Sequence, residues 1–154
     1  MNSKWLRRGA ILLVLLFFLF FHFPVIQIQT DQHTYFLNDD SFTLSWTHSV
    51  EKEKWYEKYK NQNGELILTE TYFKTFGAGV PAEGKDTEVE DGFVRMEINR
   101  QMDELNVVVS ENVQTTIETS SKDIPLYQMV EPYSEVNITT RNIHLWNIFG
   151  GEFL

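Results

Sequence analysis

There is no cysteine among the 154 residues, which excludes disulfides, thiolate catalysis, thiolate metal sites and the lipid-bearing cysteine of a lipoprotein. Positive charge is scarce as well, with 13 Lys and Arg against 22 Asp and Glu. Three of the basic residues, Lys4, Arg7 and Arg8, come before the first acidic one. The part after Thr30 therefore holds ten basic residues against all 22 acidic ones, a net charge of −12. Such a balance argues against nucleic acid or anionic lipid as the main partner, since both need positive charge to displace counterions. It suits a soluble domain with a cationic, metal or neutral ligand. No internal repeat and no low-complexity segment is present, and only one apolar run is long.

That run is Gly9 to Ile26, interrupted only by His22 and Pro24 and preceded by the basic head Met1 to Arg8. As a helix, 18 residues at 1.5 Å each cover about 27 Å, close to a hydrocarbon core of about 30 Å. The expected organisation is a cytoplasmic head at 1–8, a transmembrane anchor at 9–26 and an extracytoplasmic domain at 27–154. The positive charges in front of the run set that orientation. A cleaved signal peptide would share the head and the apolar centre, but no small-x-small site follows in Phe23-Pro24-Val25-Ile26.

Beyond the anchor no stretch has a convincing helical period. Glu51 to Lys60 has helix-forming residues, but hairpin signals flank it. The clearest pattern lies in Ser41 to Pro81. Phe42, Leu44, Trp46, His48 and Val50 alternate with Ser and Thr, the signature of a half-buried strand. Trp55 to Gln62 and Glu65 to Phe76 follow, the second after Asn63-Gly64, which favours a two-residue type I′ turn because both positions tolerate positive φ. With Glu51 to Lys54 as the first loop, His48 opposes Glu57; with Asn63-Gly64 as the second, Glu57 opposes Glu70. One row on the apolar face would then hold His48, Glu57 and Glu70.

Further strands are expected at Val25 to Thr30, Phe93 to Asn99, Leu105 to Val109, Val113 to Thr119, Ile124 to Val130 and Val136 to Ile143. The second and third of these read as a hairpin, and the acidic segment Ala82 to Gly92 as a surface loop. The whole predicts an all-β antiparallel sandwich or partly open barrel of roughly 7–9 strands. The apolar tail Ile143 to Leu154 is expected to complete the core or to dock elsewhere.

Three readings of the row are open. The carboxylates could hydrogen-bond to the imidazole, to Tyr59 or Tyr72, or to Lys74 or Arg95, as a structural network. The row and the loop Gly77, Gly79, Pro81 could line a small-ligand pocket. Or one nitrogen and two oxygens could hold a divalent metal ion such as zinc, manganese or calcium. Ser49 beside His48 points to the other face of its strand, so the two form no dyad. The Gly77-Ala78-Gly79 turn lacks the lysine and hydroxyl residue of a phosphate loop.

His48-Ser49-Val50, Trp55 with Glu57, Leu66 to Glu70, Glu70-Thr71, Phe73 and Phe76-Gly77-Ala78-Gly79-Val80-Pro81 together resemble the bacterial domain-of-unknown-function 1850 family. The resemblance covers roughly Phe42 to Gly92. It implies a small extracytoplasmic protein often encoded beside TAXI-type tripartite ATP-independent periplasmic transporters. The partner would then be a transporter membrane subunit or its substrate-binding protein. Two classes follow: a membrane-anchored accessory or binding module, or an enzyme drawing a metal, or an acid and a base, from His48, Glu57 and Glu70.

Overall fold

The computed structural model describes residues 3–77, 79–82 and 84–154. One helix, α1 (Ser3–Phe20), is followed by β1 (His22–Gln29), β2 (Thr34–Leu37), β3 (Ser41–Thr47), β4 (Lys54–Gln62), β5 (Glu65–Phe73) and β6 (Lys85–Glu90). Then come β7 (Phe93–Met102), β8 (Leu105–Val108), β9 (Thr116–Glu118), β10 (Asp123–Pro125), β11 (Glu135–His144) and β12 (Glu152–Phe153). Short 3-10 turns at Leu126–Gln128 and Leu145–Gly150 join the last strands.

The strands form two sheets, in the orders β12-β2-β1-β11-β8 and β10-β9-β3-β4-β5-β7-β6. All pairings are antiparallel except β12 on β2. One core joins the sheets face to face: Ile26, Ile28, Val136 and Ile138 from the first pack with Phe42, Leu44, Tyr59, Leu66 and Leu68 from the second. Burying each such side chain stabilises the fold by about 1.5–3 kcal/mol. The expected all-β architecture is present, with a larger number of strands because several are only two to four residues long.

The apolar run does not remain one helix. Its leucines and phenylalanines are helical as far as Phe20, whereas Val25 and Ile26 are buried within β1. β-branched residues favour the strand, and Pro24 lacks the N–H a helix interior needs. Pro24 pairs with Asn142 on one side, and β2 reaches only as far as Ile26, so its missing donor faces an open flank. Among the described residues no helix is long and apolar enough to cross a membrane. The expected span at 9–26 is corrected accordingly: the helix contributes residues to Phe20 and the domain begins at His22.

Three other expectations change. Lys85–Glu90 is a strand paired with β7, turned through Asp91 and Gly92, both at positive φ. β7 and β8 are not a hairpin, because β7 pairs with β5 and β8 crosses to the other sheet to pair with β11. Ile124 to Val130 is a strand only at its start, β10, before the chain turns into the 3-10 segment. At the tail, Leu154 packs on the core and donates its N–H to the Phe36 carbonyl at 2.9 Å.

The sheets define two ends. His22 pairs with His144 at the α1 end. The Asn63-Gly64 turn lies near the same end, where the Thr140 hydroxyl donates to the Gly64 carbonyl and Asn142 is close by. Running back along β4 from Gln62 to Trp55, at about 3.3 Å per residue, places the β3–β4 loop about 23 Å away at the opposite end.

Candidate functional site

Several residues of the family pattern, among them His48, Thr71, Phe73 and Phe76, gather at this far end around the indole of Trp55. Its Nε1 donates to Thr71 Oγ1 at 2.8 Å in a buried bond. Trp46 stacks on it at 5.8 Å between centroids, His48 lies 5.3 Å away and Phe73 5.3 Å. Phe76 meets Phe73 edge-on at 5.1 Å. Val94 and Met96 from β7 complete this second, smaller core, with Val80 packed against it.

Two loops close over the cluster. His48 donates its N–H to the Glu53 carbonyl and accepts from the Lys52 N–H, so the first loop runs from 48 to 53. The His48 Nδ1 accepts the Glu51 N–H at 3.3 Å and stands 3.7 Å from the Glu51 carboxylate. In the second loop the Val80 N–H donates to the Gly77 carbonyl at 3.4 Å. Gly79 sits at φ +91°, a conformation that suits glycine, and a Cβ there would touch the Trp55 ring at 3.9 Å. A Cβ on Gly77 would collide with the Glu51 carboxylate. Pro81 follows, half-buried. His48, Gly77 and Gly79 thus lie around Trp55 and Glu51. Val50 and Phe76, 77% and 67% exposed, form the rim.

The expected row of His48, Glu57 and Glu70 is not formed. Trp46 pairs with Trp55 and Leu44 with Glu57, so His48 lies beyond the paired part of the strand. The second hairpin keeps its expected register from Gln62–Glu65 to Tyr59–Leu68, but a bulge at Thr69 then pairs Lys58 with Glu70 and Glu57 with Thr71. One extra residue reverses which face the following side chains occupy. Glu57 stays inside, between buried Trp55 and Tyr59, while Glu70 turns to the outer face with Lys58. Among the described residues no group of three His, Asp or Glu side chains is placed to hold a metal ion. The metal set His48, Glu57, Glu70 is corrected on that geometry.

The two carboxylates live in opposite surroundings. On the outer face, Glu70 receives hydrogen bonds from Tyr72 Oη at 2.9 Å and Arg95 Nε at 3.0 Å, and pairs with Lys58 Nζ at 2.9 Å. Partial burial works against its charge, but the Arg95, Lys58 and Tyr72 bonds outweigh it and hold its pKa down to about 2. Arg95 also reaches Glu97 at 3.2 Å and Glu88 at 3.7 Å. Here the structural-network reading is upheld, with Lys58 as a member the sequence reading did not name.

On the inner face, burial pushes the Glu57 carboxyl above its ordinary range, and the Tyr59 hydrogen bond and the Arg100 charge only partly oppose this. The Tyr59 hydroxyl donates to Glu57 Oε2 at 2.5 Å, and burial together with the Glu57 charge raises the phenol strongly. Glu57 lines a crevice of about 290 Å³ between the two sheets, walled by Leu44 and Trp46 on one side and Leu105 and Val107 on the other.

Residues 42–126 match the family described as a domain of unknown function (DUF1850), and the chain belongs to that family. No curated protein and no solved structure matches the chain.

Proposed function

We propose that the chain is a membrane-tethered accessory module that displays its β domain outside the membrane and binds a subunit of a TAXI-type tripartite transporter. The observation that carries the tether is the surface of α1. Ile11 to Phe20 are each 40–70% exposed, far more contiguous apolar surface than a soluble monomer leaves in water. Lys4, Arg7 and Arg8 lie at the start of the helix, the side expected to stay in the cytoplasm. The apolar part from Gly9 covers about 18 Å at 1.5 Å per residue, short of the roughly 30 Å core, so the tether requires the bilayer to thin around the helix while Lys4 and Arg7 reach for headgroups.

The junction with the domain supports the same reading. The His144 Nδ1 is 3.4 Å from the Phe21 carbonyl, and Trp146, 49% exposed, stacks on His144 at 4.3 Å. A half-exposed tryptophan beside the end of an apolar helix suits the headgroup region. The far end, with Val50 and Phe76 on its rim, then points away from the bilayer and is the surface for the transporter partner, which the family resemblance suggests.

Fractionation tests the tether: the full chain is expected to stay with the membrane through an alkaline wash, and its release into the soluble fraction would overturn the reading. A photo-crosslinking residue at Val50 or Phe76 is expected to capture a transporter subunit, and the same probe at Glu65, near the α1 end, is not. Equal capture at both ends would refute the partner surface.

A further inference from the structure

We propose that the crevice between β8 and the β3–β4 pair is a binding site for a small organic ammonium ion with an apolar flank, its nitrogen seated on the Glu57 carboxylate. This site is separate from the tether and from the far-end rim, and stands whether or not the transporter reading does.

Among the residues lining the crevice, Glu57 is the only ionisable one. The remaining surface is mostly aliphatic or aromatic: Leu44 and Trp46 from one sheet face Leu105 and Val107 from the other, and Val113 lies at the side. Against such walls the half-buried carboxylate keeps little water. Tyr59 Oη engages Oε2 and fixes the carboxylate. Arg100 contributes positive charge, and it lies on the inner face because it pairs with Leu68. Arg100 is exposed to water, and solvent screens the charge it presents to Glu57.

Each ligand class meets a different energy in this space. An anion would approach a carboxylate in a low-dielectric crevice and be repelled. A neutral apolar molecule would fill the walls but remove the last water from Glu57 with no compensation. An ammonium group supplies both charge and donors, and its apolar flank lies along Trp46, whose ring face also attracts cations. The volume, about 290 Å³, stands at the lower end of the roughly 300–1,000 Å³ common to small-molecule sites. A monoamine fits that space, and a large polycation does not.

Three probes of similar size decide the matter on the full-length protein in detergent: phenethylamine, the neutral 2-phenylethanol, and the anionic phenylacetate, titrated by calorimetry at neutral pH. Phenethylamine is expected to bind at least tenfold more tightly than either of the others. Glu57→Gln is expected to weaken it at least tenfold while leaving a cooperative thermal transition. Should Glu57→Gln not fold, Val107→Phe blocks the crevice from the opposite sheet without touching the carboxylate and is expected to give the same loss. Equal binding of the three probes, tighter binding of the anion, or amine binding that survives either substitution in a folded protein overturns the proposal.

Discussion

Thr71→Val is the sharpest test of the Trp55 cluster, because it changes shape very little and removes one acceptor. In the native protein the Trp55 Nε1–H is satisfied by Thr71 Oγ1 at 2.8 Å. Trp55 is 3% exposed and Thr71 is fully buried, so no water replaces the lost oxygen. Leaving a buried donor unpaired costs about 1–3 kcal/mol. For a chain of this length that lowers Tm by about 2–4 °C per kcal/mol. The hydroxyl's second contact, to the Tyr56 carbonyl at 3.4 Å, is long and adds little. Trp55→Phe removes the donor and part of the ring, at a cost in packing against Trp46 and Phe73. In the double variant neither donor nor acceptor remains, so the two costs should not add. Chemical denaturation of the four proteins is expected to give a coupling of at least about 1 kcal/mol. Additivity within about 0.3 kcal/mol, or a Thr71→Val protein as stable as the parent, would refute the role given to this bond.

Two further outcomes are expected. The Glu70 carboxyl is held down to about 2 in the folded state, below its ordinary 4.5, so its stabilisation is present above pH 4.5 and lost as pH falls from there towards 2; Glu70→Gln should flatten acid unfolding in that window, and an unchanged profile would contradict the network. At Gly151 a Cβ would lie 2.9 Å from the Thr34 carbonyl and against the Phe36 ring, so Gly151→Ala is expected to loosen β12 and cost about 1–3 kcal/mol in denaturant titration; no change in midpoint would show that the tail does not need this close approach.

How far the sequence could be read depends on where each signal sits. Asn63-Gly64 specified its own turn, with φ of +57° and +87° at the two positions, and it set the pairing correctly as far as Tyr59 and Leu68. Nothing in Leu68-Thr69-Glu70 marks a bulge, although Thr69 Oγ1 donates to the Lys58 carbonyl at 3.0 Å and so anchors the extra residue. The β3–β4 loop misled for another reason. Glu51-Lys52-Glu53-Lys54 contains no glycine, yet Lys52 takes φ +57° inside a closed six-residue turn. The strand at Lys85–Glu90 was hidden by its acidity, since only its pairing with β7 makes it a strand. The move of β8 to the other sheet was not legible, because it is decided by long-range pairing with β11 and not by its neighbours. The site was legible in part. Trp55 and Thr71 both stand in the family pattern, but the expected register put Glu70 inside and so Thr71 on the outer face, which hid its bond to the Trp55 indole.

The Thr69 bulge has a consequence larger than the register it shifts. Without the extra residue, Glu57 and Glu70 would share the inner face, and two carboxylates in one apolar row would repel each other as well as lose water. With it, Glu70 leaves for a face where Arg95, Lys58 and Tyr72 stabilise its charge, and Glu57 remains alone inside. The two then act on stability with opposite sign. The depressed Glu70 stabilises the folded state above its ordinary range. The raised Glu57 favours it fully only below that range, and the contribution is lost as pH rises through its folded value. An aliphatic side chain at 57 would avoid that loss and pack against Leu44 and Trp46. Retaining a carboxylate there is unfavourable to folding alone, and it becomes favourable once a cation occupies the crevice, since binding to the folded state stabilises it by mass action.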